Sequence, residues 1–267
     1  MNDLITALLL GIVEGITEFL PISSTGHLIL VNNIISFTGA FPTLFDIVIQ
    51  SGAILAVLLY FRKKIIPLQK NAEERRNTLE IWKRILMSVL PALVVGGLFG
   101  AWIQETLFTP LVVALALFLG GIFLIFIEKY TENKKKITDI IQVGYATAFF
   151  IGLIQCVALI PGTSRAAATI IGALLLGLNR KTATEYSFFL AIPTLLAASG
   201  YSLFMYFTEG NSITPLQLST LALGFVVSFI TAWLAIAWLM NYISNHDFKL
   251  FGYYRIILAI VVFILLL

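Results

Sequence analysis

Cysteine, histidine and charge are all scarce in this chain of 267 residues, which has one cysteine, two histidines and only 12% Asp, Glu, Lys and Arg. The lone Cys156 cannot pair within the chain, which excludes a disulfide-stapled secreted scaffold. With so few Cys and His residues there is no ligand cluster for a structural zinc. Soluble domains carry about 25% charged residues, so an ordinary globular protein is excluded. Disorder is excluded as well, because it needs high charge with low hydrophobicity. No Walker-type phosphate loop occurs, which argues against nucleotide hydrolysis. What is there instead is apolar: 59% of residues are hydrophobic and the mean hydropathy is +0.97. The chain reads as an integral protein of a membrane bilayer. Its pI near 8.9 comes from basic residues beside the spans and implies no nucleic-acid partner.

A crossing helix needs roughly 20 apolar residues at about 1.5 Å each. The candidates are 44–61, 85–103, 111–127, 186–207, 216–239 and 254–267. None alternates as a membrane strand would, so an all-α polytopic bundle with about six transmembrane helices is expected. The first apolar run, 4–13, has no basic segment before it and leads into Glu14 and Glu18 rather than a cleavage site, so it is not read as a removable signal. Two apolar segments are interrupted. Segment 4–37 is broken by Pro21-Ile22-Ser23-Ser24-Thr25-Gly26-His27, and segment 142–178 by Pro161-Gly162-Thr163-Ser164-Arg165. Proline ends a helix and the Ser/Thr residues after it cap a new one. Residues 25–37 reach only about 20 Å as a helix, too short to cross. Each broken segment is therefore expected to be a re-entrant helical hairpin, with one kinked crossing helix as the plainer alternative.

Eight of the 17 basic residues lie between Arg62 and Arg84 and four between Lys129 and Lys136, with Arg180, Lys181, Lys249 and Arg255 at other span ends. Placing these on the cytoplasmic side satisfies the positive-inside rule. The first broken segment then opens to the outer face and the second to the cytoplasm. Gly11-Ile12-Val13-Glu14 with Pro21-Ile22-Ser23-Ser24 also runs parallel to Gly152-Leu153-Ile154-Gln155 with Pro161-Gly162-Thr163-Ser164, one residue shorter. Together these suggest an inverted-topology repeat within a single membrane domain, 1–267. Repeat one would cover about 1–110, repeat two about 140–240, and a C-terminal helix 253–267.

On this reading Arg165 is the one basic residue away from a span end, and Glu14 and Glu18 lie inside an apolar run. Ionisable groups in the membrane are expensive, so each marks a functional site by default. Glu14 and Glu18 are spaced i, i+4 on one helix face, and two carboxylates that close call for a cation. Their hard oxygens suit Mg²⁺ or Ca²⁺. A structural ion pair with Arg165 is the plain alternative, and it leaves one carboxylate over. His27 is otherwise a helix-end histidine on a carbonyl. Ser23, Ser24, Thr25, Thr163 and Ser164 are otherwise N-caps, and Asp46 and Glu185 otherwise favourable charges at helix starts. Two half-helix N-termini, a guanidinium, hydroxyls and a carboxylate pair together suit a phosphate, and a diphosphate in particular.

The run from Glu14 to His27 resembles the first signature of the undecaprenyl-diphosphate phosphatases of the bacitracin-resistance type, and Pro161-Gly162-Thr163-Ser164-Arg165 resembles the core of their second. Asp46 to Gln50 with Gly52, Glu185 to Pro193, and Tyr254-Arg255 also fit. The family pattern continues Ser-Gly after the arginine where this chain has Ala166-Ala167; Thr169 still fits. The resemblance implies hydrolysis of undecaprenyl diphosphate to the monophosphate lipid carrier of cell-wall synthesis in the bacterial plasma membrane. Arg165 would bind phosphate oxygens with Ser23, Thr25, Thr163, Ser164 and Thr169. Glu14 and Glu18 would hold a divalent cation or activate the nucleophile. Ser24 would attack, with His27 as general base or acid, unless a metal-activated water attacks directly. Catalysis is expected at the extracytoplasmic face, and a homodimer is among the expected partners. A transporter or flippase for an anionic polyprenyl lipid is the rival reading.

Overall fold

The structure is a computed structural model, and it describes residues 3–35, 37, 41–67, 71–131 and 137–266. Ser36 of the first broken segment, Lys70, Lys134, Lys135 and Lys136 of the basic runs, and Leu267 lie outside the described residues. Among the described residues the chain is helical, with one isolated bridge between Ile137 and Leu178. The helices are α1 (Asp3–Thr17), α2 (Ser24–Ile34), α3 (Phe41–Tyr60), α4 (Arg62–Ile65), α5 (Ala72–Leu107), α6 (Pro110–Thr131), α7 (Tyr145–Gln155), α8 (Arg165–Leu175), α9 (Arg180–Thr208), α10 (Pro215–Tyr242) and α11 (Lys249–Leu266).

Six of these, α3, α5, α6, α9, α10 and α11, are long and apolar enough to cross a membrane. Their starts follow local chemistry. Asn71, Asn179 and Thr214 each cap the helix that follows, and Thr214 with Gln217 closes a capping box ahead of Pro215. α5, at 36 residues, is about 54 Å long and outruns the roughly 30 Å hydrocarbon core. Its first turns therefore carry Glu80, Lys83 and Arg84, which pair with one another. By contrast α1, α2, α7 and α8 have only 15, 11, 11 and 11 residues.

The short helices find partners in the opposite half of the chain. α1 packs along α10, and α7 packs along α5. α2 lies against α11 while α8 lies against α6, α3 crosses α9, and α6 runs beside α11. In lipid the apolar surface alone gives helices little reason to associate, so small residues and interhelical hydrogen bonds set the contacts. A Cβ on Gly15 of α1 would meet Thr231 Oγ1 at 2.0 Å and the Ser228 carbonyl at 2.5 Å, and one on Gly152 of α7 would meet the Ser88 carbonyl at 2.2 Å. Ser228 donates to the Ile49 carbonyl (2.7 Å) and Ser88 to the Ala148 carbonyl (2.5 Å). Inside this frame, Phe188 and Phe189 of α9 are fully buried against Phe19 and Phe61, and Tyr186 is fully buried with its hydroxyl on Ser88.

Candidate active site

Both broken segments resolve into the same local device. α1 ends at Thr17, the chain turns through Pro21, and α2 restarts at Ser24; α7 ends at Gln155, a 3₁₀ turn covers Cys156–Leu159, and α8 restarts at Arg165. The residue before each restart is a serine with positive φ, Ser23 at 73° and Ser164 at 69°. Among the described residues they are the only non-glycines in that region, a conformation that costs on the order of 1–3 kcal/mol and collects at functional sites. Each serine hydroxyl caps its helix, accepting from Gly26 N–H and Ala167 N–H at 3.2 Å. Counted from these caps, Ser23 matches Ser164 and Ser24 matches Arg165, the same offset that relates Gly11 to Gly152 and Glu14 to Gln155. The pairing through the two prolines is one residue out, because the cap and not the proline sets where a helix starts.

The two first-turn residues meet. Arg165 Nη2 donates to Glu18 Oε1 at 3.1 Å, and the Ser24 hydroxyl donates to Glu18 Oε2 at 2.7 Å. Residues 147 positions apart thus share one carboxylate. Arg165 Nη1 donates to the Ser187 carbonyl at 3.0 Å, its guanidinium lies 5.5 Å from the Phe19 ring centre, and its buried Nε has no acceptor. Glu14, one turn before Glu18, is 2% exposed. It has Glu18, Asp46 and Arg165 as electrostatic neighbours, but among the described residues it makes no ion pair. The ion pair weighed from the sequence is present, with a carboxylate left over. Among the described residues no three His, Cys, Asp or Glu side chains form a ready metal cage. Glu14 and Glu18, one turn apart with Arg165 bonded to Glu18 alone of the two, do fit a hard cation of the Mg²⁺ type, which is commonly held by one or two carboxylates plus substrate phosphates.

The other residues singled out from sequence fall into distinct places. His27 Nδ1 donates to the Ser23 carbonyl (2.7 Å), which leaves Nε2 to accept from the Tyr254 hydroxyl (2.7 Å). Its ring therefore faces Tyr254, and the Ser24 proton is directed at Glu18. Thr169 is fully buried behind Arg165, donating to the Arg165 carbonyl (2.8 Å) and meeting the Ser187 hydroxyl (2.6 Å). Thr163 is half-buried in the turn before the cap, and its N–H donates to the Ile160 carbonyl. Ala166 and Ala167 are fully buried, so the departure from the family pattern is at packing positions. Lys64 pairs with Glu185 (2.8 Å), away from the cluster.

Sequence reasoning gives no role to three further residues at the site, although all three fall in stretches that fit the family pattern. Ser187 is one hydroxyl residue in an apolar span. Tyr254 and Arg255 read from sequence as the start of the last span, yet α11 starts at Lys249, which puts Arg255 six residues inside it. Arg255 is 0% exposed, so among the described residues a second arginine besides Arg165 is enclosed by the helices. The fit of Tyr254-Arg255 to the family pattern is the available sequence signal.

A cavity of about 620 Å³ opens beside α2, lined by Thr25, Asn32, Asp46, Phe108, Pro110 and Leu266 among others. The model of the family described as bacitracin resistance protein BacA matches residues 7–261 of this chain. The chain belongs to that family. The chain is also similar along its whole length to individual proteins. An "undecaprenyl-diphosphatase" of Lacticaseibacillus paracasei is 46% identical over all of this chain and 99% of that protein. The "undecaprenyl-diphosphatase 1" of Clostridioides difficile is 48% identical over 97% of this chain and 95% of its own length. That of Caldanaerobacter subterraneus subsp. tengcongensis is 46% identical over all of this chain and 97% of its own.

Proposed function

We propose that this chain is a multi-pass membrane phosphatase that converts undecaprenyl diphosphate to undecaprenyl phosphate and inorganic phosphate. The observation that carries the site assignment is the Arg165–Glu18–Ser24 cluster at the first turns of two half-helices. Each helix start offers free N–H groups and about half a positive charge, and Arg165 adds a planar fork for phosphate oxygens. Hydrolysis of phosphate esters and anhydrides is slow without help, so charge stabilisation carries most of the rate.

In this reading the Ser24 oxygen attacks the terminal phosphorus while its proton passes to Glu18. The anhydride P–O bond breaks and undecaprenyl phosphate leaves with the bridging oxygen. Water then cleaves the phosphoserine, releasing inorganic phosphate and restoring Ser24. His27, whose unprotonated Nε2 faces Tyr254, takes the base half of the role named from sequence, accepting a proton from the water that cleaves the phosphoserine. Thr25, Thr163 and the capping Ser23 and Ser164 support the phosphate through the two turns, and Thr169 through Arg165. Glu14 and Glu18 would hold Mg²⁺ or Ca²⁺, which when bound neutralises phosphate charge. A water held at Glu14 attacking phosphorus directly is the second reading, favoured by Glu14 being the carboxylate to which Arg165 does not donate.

The inverted repeat and its two re-entrant hairpins belong to this proposal. They are supported by the exchange of packing partners between halves and by the matched serine caps. The cavity beside α2 is lined by Phe108, Pro110 and Leu266, at helix ends remote from the basic segments, which supports entry from the extracytoplasmic side. An impermeant thiol reagent should therefore label a cysteine placed at Glu105 in intact cells and not one at Ala72. The site is complete within one chain, so a homodimer is not required. The relatives named above are phosphatases by name, and the transporter reading finds no support in them. Purified protein in detergent, given undecaprenyl diphosphate with Mg²⁺ or Ca²⁺, should release inorganic phosphate and stop when the ion is chelated. No release under either ion overturns the proposal.

A further inference from the structure

Arg255 has an unusual set of partners for a buried guanidinium. Its Nη1 donates to the Pro21 carbonyl (3.4 Å) and its Nη2 to the Gly162 carbonyl (3.2 Å), while Nη2 and Nε also reach the Ala116 (3.0 Å) and Leu117 (3.3 Å) carbonyls of α6. Four hydrogen bonds go to main-chain oxygens, and among the described residues no carboxylate pairs with it. Pro21 and Gly162 are equivalent positions, each two residues before its capping serine. One planar group therefore ties the two turns to each other and both to α6. α6 leaves room for it at Gly120, where a Cβ would lie 2.3 Å from Arg255 Nη2 and 2.9 Å from Cζ. A fully buried arginine without a counter-ion is costly in a membrane helix, and its carbonyl partners carry no catalytic chemistry themselves. What the arrangement does achieve is a common anchor for the two strained caps that aim Ser24 and Arg165.

We infer that Arg255 is a positioning residue: it staples the two helix-restart turns together so that the first turns of α2 and α8 converge on one phosphate. The inference rests on the reading of those turns as the phosphate site. Lysine cannot replace it, since one nitrogen on a shorter stem does not span both carbonyls. Misplacement of reacting groups by about 1 Å can cost on the order of 100-fold, so the loss falls on kcat more than on KM.

The test compares the parent with Gly120→Ala, Arg255→Lys and Arg165→Lys in detergent, measuring phosphate release per folded molecule. Gly120→Ala keeps every site residue, and the atoms nearest the added methyl all belong to the flexible end of Arg255, so it displaces the staple even if Arg255→Lys fails to fold. The expected result is a fall in kcat of roughly 10-fold or more for Gly120→Ala with KM within about threefold. That effect should shrink by at least half when combined with Arg165→Lys, because coupled residues are not additive. A purely structural role would lower the melting temperature, leave kcat per folded molecule within about twofold, and multiply in full with Arg165→Lys; any of the last two results overturns the inference. If Arg165→Lys alone keeps parental turnover, the phosphate-site reading falls and this inference with it.

Discussion

Replacing Arg165 by lysine separates the guanidinium fork from its charge. Arg165 holds Glu18 at 3.1 Å through one nitrogen and the Ser187 carbonyl at 3.0 Å through another. A lysine can keep the ion pair but not both contacts. Arg165→Ala is the poorer experiment, since it strands Glu14 and Glu18, 2% and 7% exposed, without their cation. Breaking a buried pair in that way costs about 3–5 kcal/mol, a large part of the net stability of most proteins. With lysine the buried positive charge beside Glu18 is kept. What is lost is one preorganised donor aimed at developing negative charge, about 2.7–4 kcal/mol. At about 1.36 kcal/mol per decade this is roughly 100- to 1,000-fold in kcat. The assay is phosphate release from undecaprenyl diphosphate in detergent, normalised to protein that elutes as a single folded species. Turnover within about threefold of the parent would show that the fork does not bind the transferring phosphate.

Ser24→Ala should lower kcat by at least about 100-fold, and acid quenching of the parent during turnover should trap phosphate on Ser24; ¹⁸O from water entering the product with no trapped adduct would instead favour direct attack. Glu14→Gln should raise the concentration of Mg²⁺ or Ca²⁺ needed for half-maximal activity, and an unchanged metal dependence would remove Glu14 from the cation site. At the water-facing start of α5, hydrogen bonds from Lys83, Tyr145 and Arg84 hold the Glu80 carboxyl down from 4.5 to about 2. The stabilisation this confers is complete above about pH 4.5 and lost as pH falls towards 2. The gap between the melting temperatures of the parent and Glu80→Gln should therefore narrow across that window, and a gap independent of pH would refute it.

The membrane class, the six long apolar helices and the positions of both breaks were legible in the sequence, because hydropathy is a local property and a proline followed by Ser/Thr caps marks a restart, whereas Pro91 and Pro193 lie inside α5 and α9. The residues of the cluster were legible for a related reason: a carboxylate pair and an arginine within apolar runs are expensive wherever they end up, so Glu14, Glu18 and Arg165 stood out before any contact was known. Their partners were not. Ser187 offers a main-chain carbonyl, which has no side-chain signature, and Arg255 looked like a span flank until α11 was seen to begin at Lys249. The orientation of His27 towards Tyr254, 227 positions away, depends on how α11 lies against α2. Sequence alone thus singled out Glu14, Glu18 and Arg165 as charges to be accommodated among apolar helices, and not Arg255. Only the tertiary structure decided which of them share hydrogen bonds, since donors and acceptors brought together from opposite halves of the chain are selected by helix packing and not by spacing along it.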